Sequence, residues 1–125
     1  MGCGKAQIAN HFEKDSRFQF INYDHISSSE NIETCDISNT PLEENDVEIC
    51  ILSLAMWGSN CKEYIQESHR ILETGGKLYI IEATKRWTEE DELPGNKLKK
   101  ILEENGFQIV EEKIEKFCMF VCIKV

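Results

Sequence analysis

Val47-Glu48-Ile49-Cys50-Ile51-Leu52-Ser53-Leu54 is nearly continuous in apolar residues, the pattern of a parallel strand covered on both faces. It follows the polar, structure-breaking segment Pro41 to Asp46 and reads as the central strand of a sheet. Downstream, Tyr64, Ile65, Ile71 and Leu72 form the apolar stripe of a helix over Asn60 to Glu73, with Asn60 as N-cap and Gly75-Gly76 closing it. Lys77 to Glu82, centred on Leu78-Tyr79-Ile80-Ile81, is a second buried strand. A buried strand, an amphipathic helix and another buried strand indicate a parallel crossover and an α/β fold.

Working outward, Thr88-Glu89-Glu90-Asp91 resembles a helix start, Pro94-Gly95 interrupts it, and the firm helix is Lys97 to Glu104 with Gly106 beyond its end. Phe107 to Val110 and Phe117 to Val125 are strand-like, and the link Glu115-Lys116 joins them as an antiparallel hairpin. Upstream of the opening stretch, Lys5 to Phe12 suits a short helix, Phe18 to Tyr23 a strand ending at Asp24, and Asn31 to Cys35 a strand ending at Asp36. The expected architecture is a three-layer, Rossmann-like α/β sandwich. Its sheet is mostly parallel with a C-terminal antiparallel hairpin, in a single domain over residues 1–125.

Composition narrows the function. Hydrophobic residues at 41% and charged residues at 30% describe a globular chain, with no apolar run of bilayer length and no signal-peptide pattern. The formal charge of −9 argues against an extensive footprint on nucleic acid, because phosphate binding draws on clustered Lys and Arg. Lys85-Arg86 and Lys97, Lys99 and Lys100 are the basic clusters, and they read as solvated faces. Six cysteines without a CxxC pair or zinc-type histidine spacing read as reduced thiols in an intracellular reducing compartment, with no metal site expected.

Ligands of open α/β sheets bind at the carboxyl ends of strands, where loops and helix N-termini converge. Gly2-Cys3-Gly4 precedes a helix there, and glycines let the backbone approach a ligand. Asp24 ends the next strand, placed to accept from a ribose diol; Asp36 ends another, placed to accept from an exocyclic amine; Ser53 lies near the end of the central one. Each acid alone is more often a surface or capping residue. Their conjunction at successive strand ends singles them out. Trp57 and Asn60 follow the central strand, where an aromatic and an amide suit a base. Against this, Trp57 reads more readily as core and Asn60 as a helix cap. His11, His25 and His69 fall on separate elements, and no catalytic residue is assigned.

Met1-Gly2-Cys3-Gly4, Cys35-Asp36-Ile37 with Pro41-Leu42, Ser53 to Asn60, Glu67 to Leu72 with Gly75-Gly76, Glu82, and Gly106 to Val110 together resemble the ribosomal RNA-processing protein 8 family, also called nucleomethylin. The resemblance runs from Met1 to the C-terminus and is most specific over Asp36 to Gly76. It implies a class I methyltransferase dependent on S-adenosylmethionine (AdoMet) that methylates N1 of an adenine in large-subunit ribosomal RNA during rRNA processing. It also implies a nucleolar setting with rRNA or pre-ribosomes as partners. By that resemblance Gly2, Gly4, Asp24, Asp36, Ile37 and Ser53 would contact the cofactor, Ile37 through its backbone and by packing on the adenine. Trp57 and Asn60 would face the substrate base.

The family's strand before the glycine loop has no counterpart, since this sequence opens at the loop, so the first strand is expected to be missing and cofactor affinity weakened. Three rivals are carried forward. One is a binding module or pseudoenzyme, another a small-molecule methyltransferase, and the third a lipid-tethered domain. The last rests on Met1-Gly2-Cys3, against which Ala6 stands where myristoylation wants Ser or Thr.

Overall fold

The computed structural model describes residues 1, 3, 7–11, 14–24, 30, 32–56 and 59–125. In chain order these form α1 (Gln7–His11), β1 (Tyr23–Asp24), β2 (Glu33–Thr34), β3 (Val47–Ser53), α2 (Cys61–Ile71) and β4 (Leu72–Ala83). A 3-10 turn (Thr84–Trp87) follows, then α3 (Asn96–Glu104), β5 (Phe107–Ile114) and β6 (Phe117–Lys124). The chain is α/β, as expected. β1 and β2 pair in parallel as a two-stranded sheet, and the other strands form a four-stranded sheet in the order β3-β4-β6-β5.

β3 and β4 are parallel, and β6 runs antiparallel to both β4 and β5. Within that sheet only β6 is therefore reversed. The hairpin turns where expected, at Glu115-Lys116, yet β6 does not finish as an edge. Leu78, Ile80, Cys118, Phe120 and Cys122 are fully buried, so β6 is drawn inside, between β4 and β5.

β3 corrects the expectation of a central strand. Among the described residues it is ladder-paired only with β4 and ends the four-stranded sheet. Its second half supplies Cys50 and Leu52 to the core, whereas Ile49 is 44% exposed. Continuous apolarity marks a strand built for two covered faces, and here one flank of its first half is open.

Gly75 and Gly76 do not close α2. The helix runs straight into β4, the Leu72 N–H bonding the Ser68 carbonyl, and the glycines lie within the strand. The register moves from Val47 opposite Leu72 to Ile49 opposite Lys77, so β4 carries extra residues in a bulge. A Cβ on Gly76 would meet the Glu73 carbonyl at 2.8 Å, and Gly75 has φ +83°. The pair is needed for the bulge.

Smaller differences have local causes. Only Tyr23–Asp24 of the aromatic run is in a ladder; Phe18 and Ile21 are 40% and 45% exposed. Thr88 starts no helix, because its hydroxyl donates to the Thr84 carbonyl at 2.7 Å and accepts from the Gly95 N–H at 2.9 Å. Lys5, Ala6, Phe12 and Asn31 of the expected elements fall outside the described residues.

One core joins the sheets to α2 and α3, through Tyr23, Ile37, Leu52, Ile65, Leu98 and Phe120 among others. The six cysteines are free thiols, four of them buried, and burial pushes the Cys122 thiol up to about 12. No described helix is long and apolar enough to cross a membrane.

Candidate functional site

The chain's first residues tie the two sheets together. The Met1 ammonium donates to the Ile51 carbonyl at 2.7 Å, and the Cys3 N–H donates to the Tyr23 carbonyl at 3.1 Å. Ile51 lies late in β3 and Tyr23 in β1, so these strands meet through Met1 and Cys3. The carboxyl ends of the strands are the ligand-binding end of an open α/β sheet. Gly2 and Gly4 themselves, like Trp57, lie outside the described residues.

Asp24 closes β1 and is half-buried; its carbonyl accepts from the Cys35 N–H at 2.9 Å, which sets the β1–β2 pair at the same end. Asp36 is exposed and turned into its own loop. Its Oδ1 accepts from the Ser38 N–H at 2.9 Å and the Ser38 hydroxyl at 2.6 Å, an aspartate turn. The Ile37 side chain is 1% exposed and belongs to the core, leaving its main chain as the part that reaches the strand end.

A buried network holds this loop, and sequence reasoning missed it. Glu67 of α2 accepts from the Thr40 N–H at 2.8 Å and the Thr40 hydroxyl at 2.7 Å. Arg70 donates to Glu67 Oε1 at 2.6 Å and to the Leu42 carbonyl at 2.7 Å. Burial alone would raise the Glu67 carboxyl, but the Arg70 and Thr40 hydrogen bonds outweigh it and hold it below the usual range. Nothing in the spacing of Glu67 and Thr40 signals the contact; only the Glu67-to-Arg70 interval, natural on a helix, hints at half of it.

Ser53 ends β3 opposite Ile81 of β4. Leu54 follows with φ +49°, a strained left-handed conformation for a branched residue, and its N–H donates to the Ile81 carbonyl at 2.9 Å. Glu82 holds the next turn: its carboxylate accepts from the Ala55 and Met56 N–H groups at 3.1 and 3.2 Å. Glu82 is 1% exposed, and burial pushes its carboxyl above the usual range, against the pull of those two amides, Arg86 and Trp87. Nothing in the residues around Glu82 signals this role, because its partners lie 26 and 27 positions away. Asn60 stands at the N-cap position of α2 without a side-chain capping bond, so the simple cap reading does not describe it.

The basic clusters divide. Lys99 pairs with Glu112 at 3.3 Å, and Lys100 lies within 3.7 Å of Glu89 and 3.5 Å of Glu92, which makes α3 a neutralised face. Lys85 and Arg86 sit in the 3-10 turn that follows β4, at the carboxyl-end side.

The residues present suit AdoMet. Backbone at Met1 and Cys3, the half-buried Asp24, a loop at 36–40 held by hydrogen bonds and a strained turn after Ser53 lie at the strand ends. Among the described residues no group of His, Cys, Asp and Glu side chains is placed to hold a metal ion.

A family described as hypothetical methyltransferase matches residues 1–125. The chain is 31% identical to 25S rRNA (adenine(645)-N(1))-methyltransferase of Schizosaccharomyces pombe, over 100% of this chain and 39% of that protein. It is 36% identical to Ribosomal RNA-processing protein 8 of Arabidopsis thaliana, over 69% of this chain and 29% of that protein. The chain thus spans well under half the length of these relatives. The crystal structure of Burkholderia thailandensis 1,6-didemethyltoxoflavin-N1-methyltransferase, with S-adenosylhomocysteine bound, has TM-score 0.76 at 12% identity, over 98% of this chain and 68% of that one. That likeness concerns the fold, which is that of class I AdoMet-dependent methyltransferases.

Proposed function

Because the chain belongs to the family described as hypothetical methyltransferase, we propose that residues 1–125 are a single AdoMet-binding domain of an enzyme that methylates N1 of an adenine in large-subunit rRNA during rRNA processing, in the nucleolus. The observation that carries this reading is the match of the whole chain to a relative named as a 25S rRNA adenine-N1 methyltransferase. The cofactor supplies an electrophilic methyl sulfonium. When bound, it would give its methyl group to the lone pair of adenine N1 and leave as S-adenosylhomocysteine, with the positive charge passing to the base. No proton needs to move, so the protein's part is orientation.

In this reading Gly2 and Gly4 let the backbone approach the cofactor, Asp24 takes the ribose diol, Asp36 and the Ile37 main chain receive the adenine, and Ser53 borders the methionine end. Trp57 and Asn60 face the substrate base, Trp57 by stacking. With Asp36 engaged by Ser38, the Glu67–Arg70–Thr40 network keeps that loop in place. The overall charge of −9 puts the burden of RNA contact on a local patch such as Lys85 and Arg86, or on a partner.

The test is calorimetric titration of S-adenosylhomocysteine, followed by tritiated methyl transfer to an rRNA oligonucleotide carrying adenine or 1-deazaadenine at the target. Asp24→Ala is expected to weaken binding by roughly tenfold to a hundredfold, the worth of charge-assisted hydrogen bonds. Unchanged affinity would remove Asp24 from the site. Transfer to the 1-deazaadenine substrate would remove N1 as the acceptor.

A further inference from the structure

We propose, resting on the reading of this site as one that methylates an RNA base, that Glu82 is the positioning residue for that base: it fixes the turn Leu54 to Met56 on the substrate side, while the cofactor side stands without it. The turn leaves β3 directly after Ser53 and is pinned to successive residues of β4 in two different ways. Ser53 sits opposite Ile81 in the ladder, and the Leu54 N–H donates to the Ile81 carbonyl at 2.9 Å. These contacts are main chain to main chain. The Ala55 and Met56 N–H groups instead donate to the Glu82 side chain, at 3.1 and 3.2 Å.

Trp57 and Asn60, the residues assigned to the substrate base, come after this point in the chain. The Cys61 thiol donates to the Met56 carbonyl at 3.4 Å, which ties the turn to the start of α2. Asn60, just ahead of that helix, spends no side-chain bond on capping it, so its amide can serve the edge of a base. Leu54, at φ +49°, holds a conformation that persists only where its surroundings over-determine it, and the Glu82 bonds are among those constraints. Glu82 does not touch the substrate, being 1% exposed. Desolvation opposes its ionised form, and an apolar side chain would bury at less cost. What the acid adds is one defined path for the chain beyond β3. Its loss should therefore fall on the base and spare the cofactor, because Ser53 and Leu54 keep their bonds to Ile81.

The test uses the full chain and three variants that separate reach from charge. Glu82→Gln keeps the reach and gives up the charge. Glu82→Asp keeps the charge and withdraws the oxygens by about 1.5 Å, one carbon–carbon bond. Glu82→Ala removes both. Each is measured for S-adenosylhomocysteine affinity by calorimetry and for single-turnover methyl transfer to an rRNA oligonucleotide. A second oligonucleotide carries 2-aminopurine at the target, and its emission lifetime reports whether the base has left its neighbours for the protein. Cofactor affinity should stay within about twofold throughout, and Gln should keep the base signal and the transfer rate within about threefold. Asp and Ala should lose the base signal and slow transfer by about a hundredfold, the cost of misplacing a reacting group by about 1 Å. If Ala does not fold, the contrast of Asp with Gln decides. Equal effects of Asp and Gln, or a defective Gln beside a parent-like Asp, would overturn the proposal. Cofactor affinity falling in step with transfer would overturn it too, as would a parent that leaves the base signal unchanged. A parent that captures the base yet transfers no methyl group sinks the rRNA methylation reading, while the Asp and Gln base signals still judge Glu82.

Discussion

Replacing Glu82 separates the carboxylate's hydrogen bonds from its charge. Glu82→Ala leaves the Ala55 and Met56 N–H groups, held at 3.1 and 3.2 Å, without an acceptor. A buried unsatisfied amide costs about 1–3 kcal/mol; the Met56 bond is buried and the Ala55 bond only partly so, and removing a desolvated acid returns part of the loss. The net cost is about 2–3 kcal/mol, a fall in Tm of roughly 10 °C for a domain of this size. Glu82→Gln keeps the acceptor oxygen and should lie within about 1 kcal/mol of the parent near neutral pH.

The acidity adds a signature. Burial raises the folded-state carboxyl above its ordinary 4.5, so the folded chain holds this proton more tightly than the unfolded one. The associated stability is complete below 4.5 and is lost as pH rises through the raised value. Relative to the parent, Glu82→Gln should therefore gain with rising pH across that window. Urea unfolding from pH 4 to 8 measures both effects, and amide exchange at Ala55 and Met56 should accelerate in Glu82→Ala alone. Equal losses for Ala and Gln, or an Ala loss under about 0.5 kcal/mol, would refute the bonding account.

Glu67 should behave oppositely. Its folded value lies below 4.5, so its contribution is full above 4.5 and is lost as pH falls through the lowered value, which acid unfolding of the parent against Glu67→Gln will reveal. Arg70→Ala, by stranding the Glu67 carboxylate, should cost about 3 kcal/mol in urea unfolding and speed exchange at Thr40. Gly106→Ala places a Cβ 2.5 Å from His69 Nε2 at a φ of +85° and should lower stability by about 3 kcal/mol. Adding His69→Ala should relieve the clash and leave the backbone strain, a non-additivity that thermal unfolding of the double variant tests.

Much of the framework was legible in the residues. The run Val47 to Leu54 announced a strand, Glu115-Lys116 the hairpin turn, and Gly95 with Gly106 the bounds of α3. Less legible were features whose local signature serves two structures. Two glycines after an amphipathic helix are the mark of a helix stop, and only the register between β3 and β4 shows them making a bulge. Thr88 looks like a cap because a hydroxyl before acidic residues usually is one, but here it is shared between Thr84 and Gly95. Periodicity reports that a strand is apolar, not whether a neighbour lies beside it, so the edge position of β3 had no local sign. For the candidate site, Asp24 and Asp36 are singled out in the sequence by their place after strands, and β1 does end at Asp24. Asp36 bonds Ser38 only two residues on, a local turn, whereas Glu82 and Glu67 brace the adjoining turns through contacts 26 and 27 positions apart in the chain.

The distribution of the six thiols gives the molecule an internal clock. Cys3 and Cys35 are partly accessible, whereas Cys50, Cys61, Cys118 and Cys122 are enclosed, and a thiol with its proton locked on cannot attack an alkylating reagent until its surroundings open. Pulsed labelling read by mass spectrometry would therefore time the opening of separate parts: the entry of α2 through Cys61, the middle of β3 through Cys50, and the heart of the sheet through Cys118 and Cys122. A ligand that draws the strand ends together should slow the first two before it touches the last.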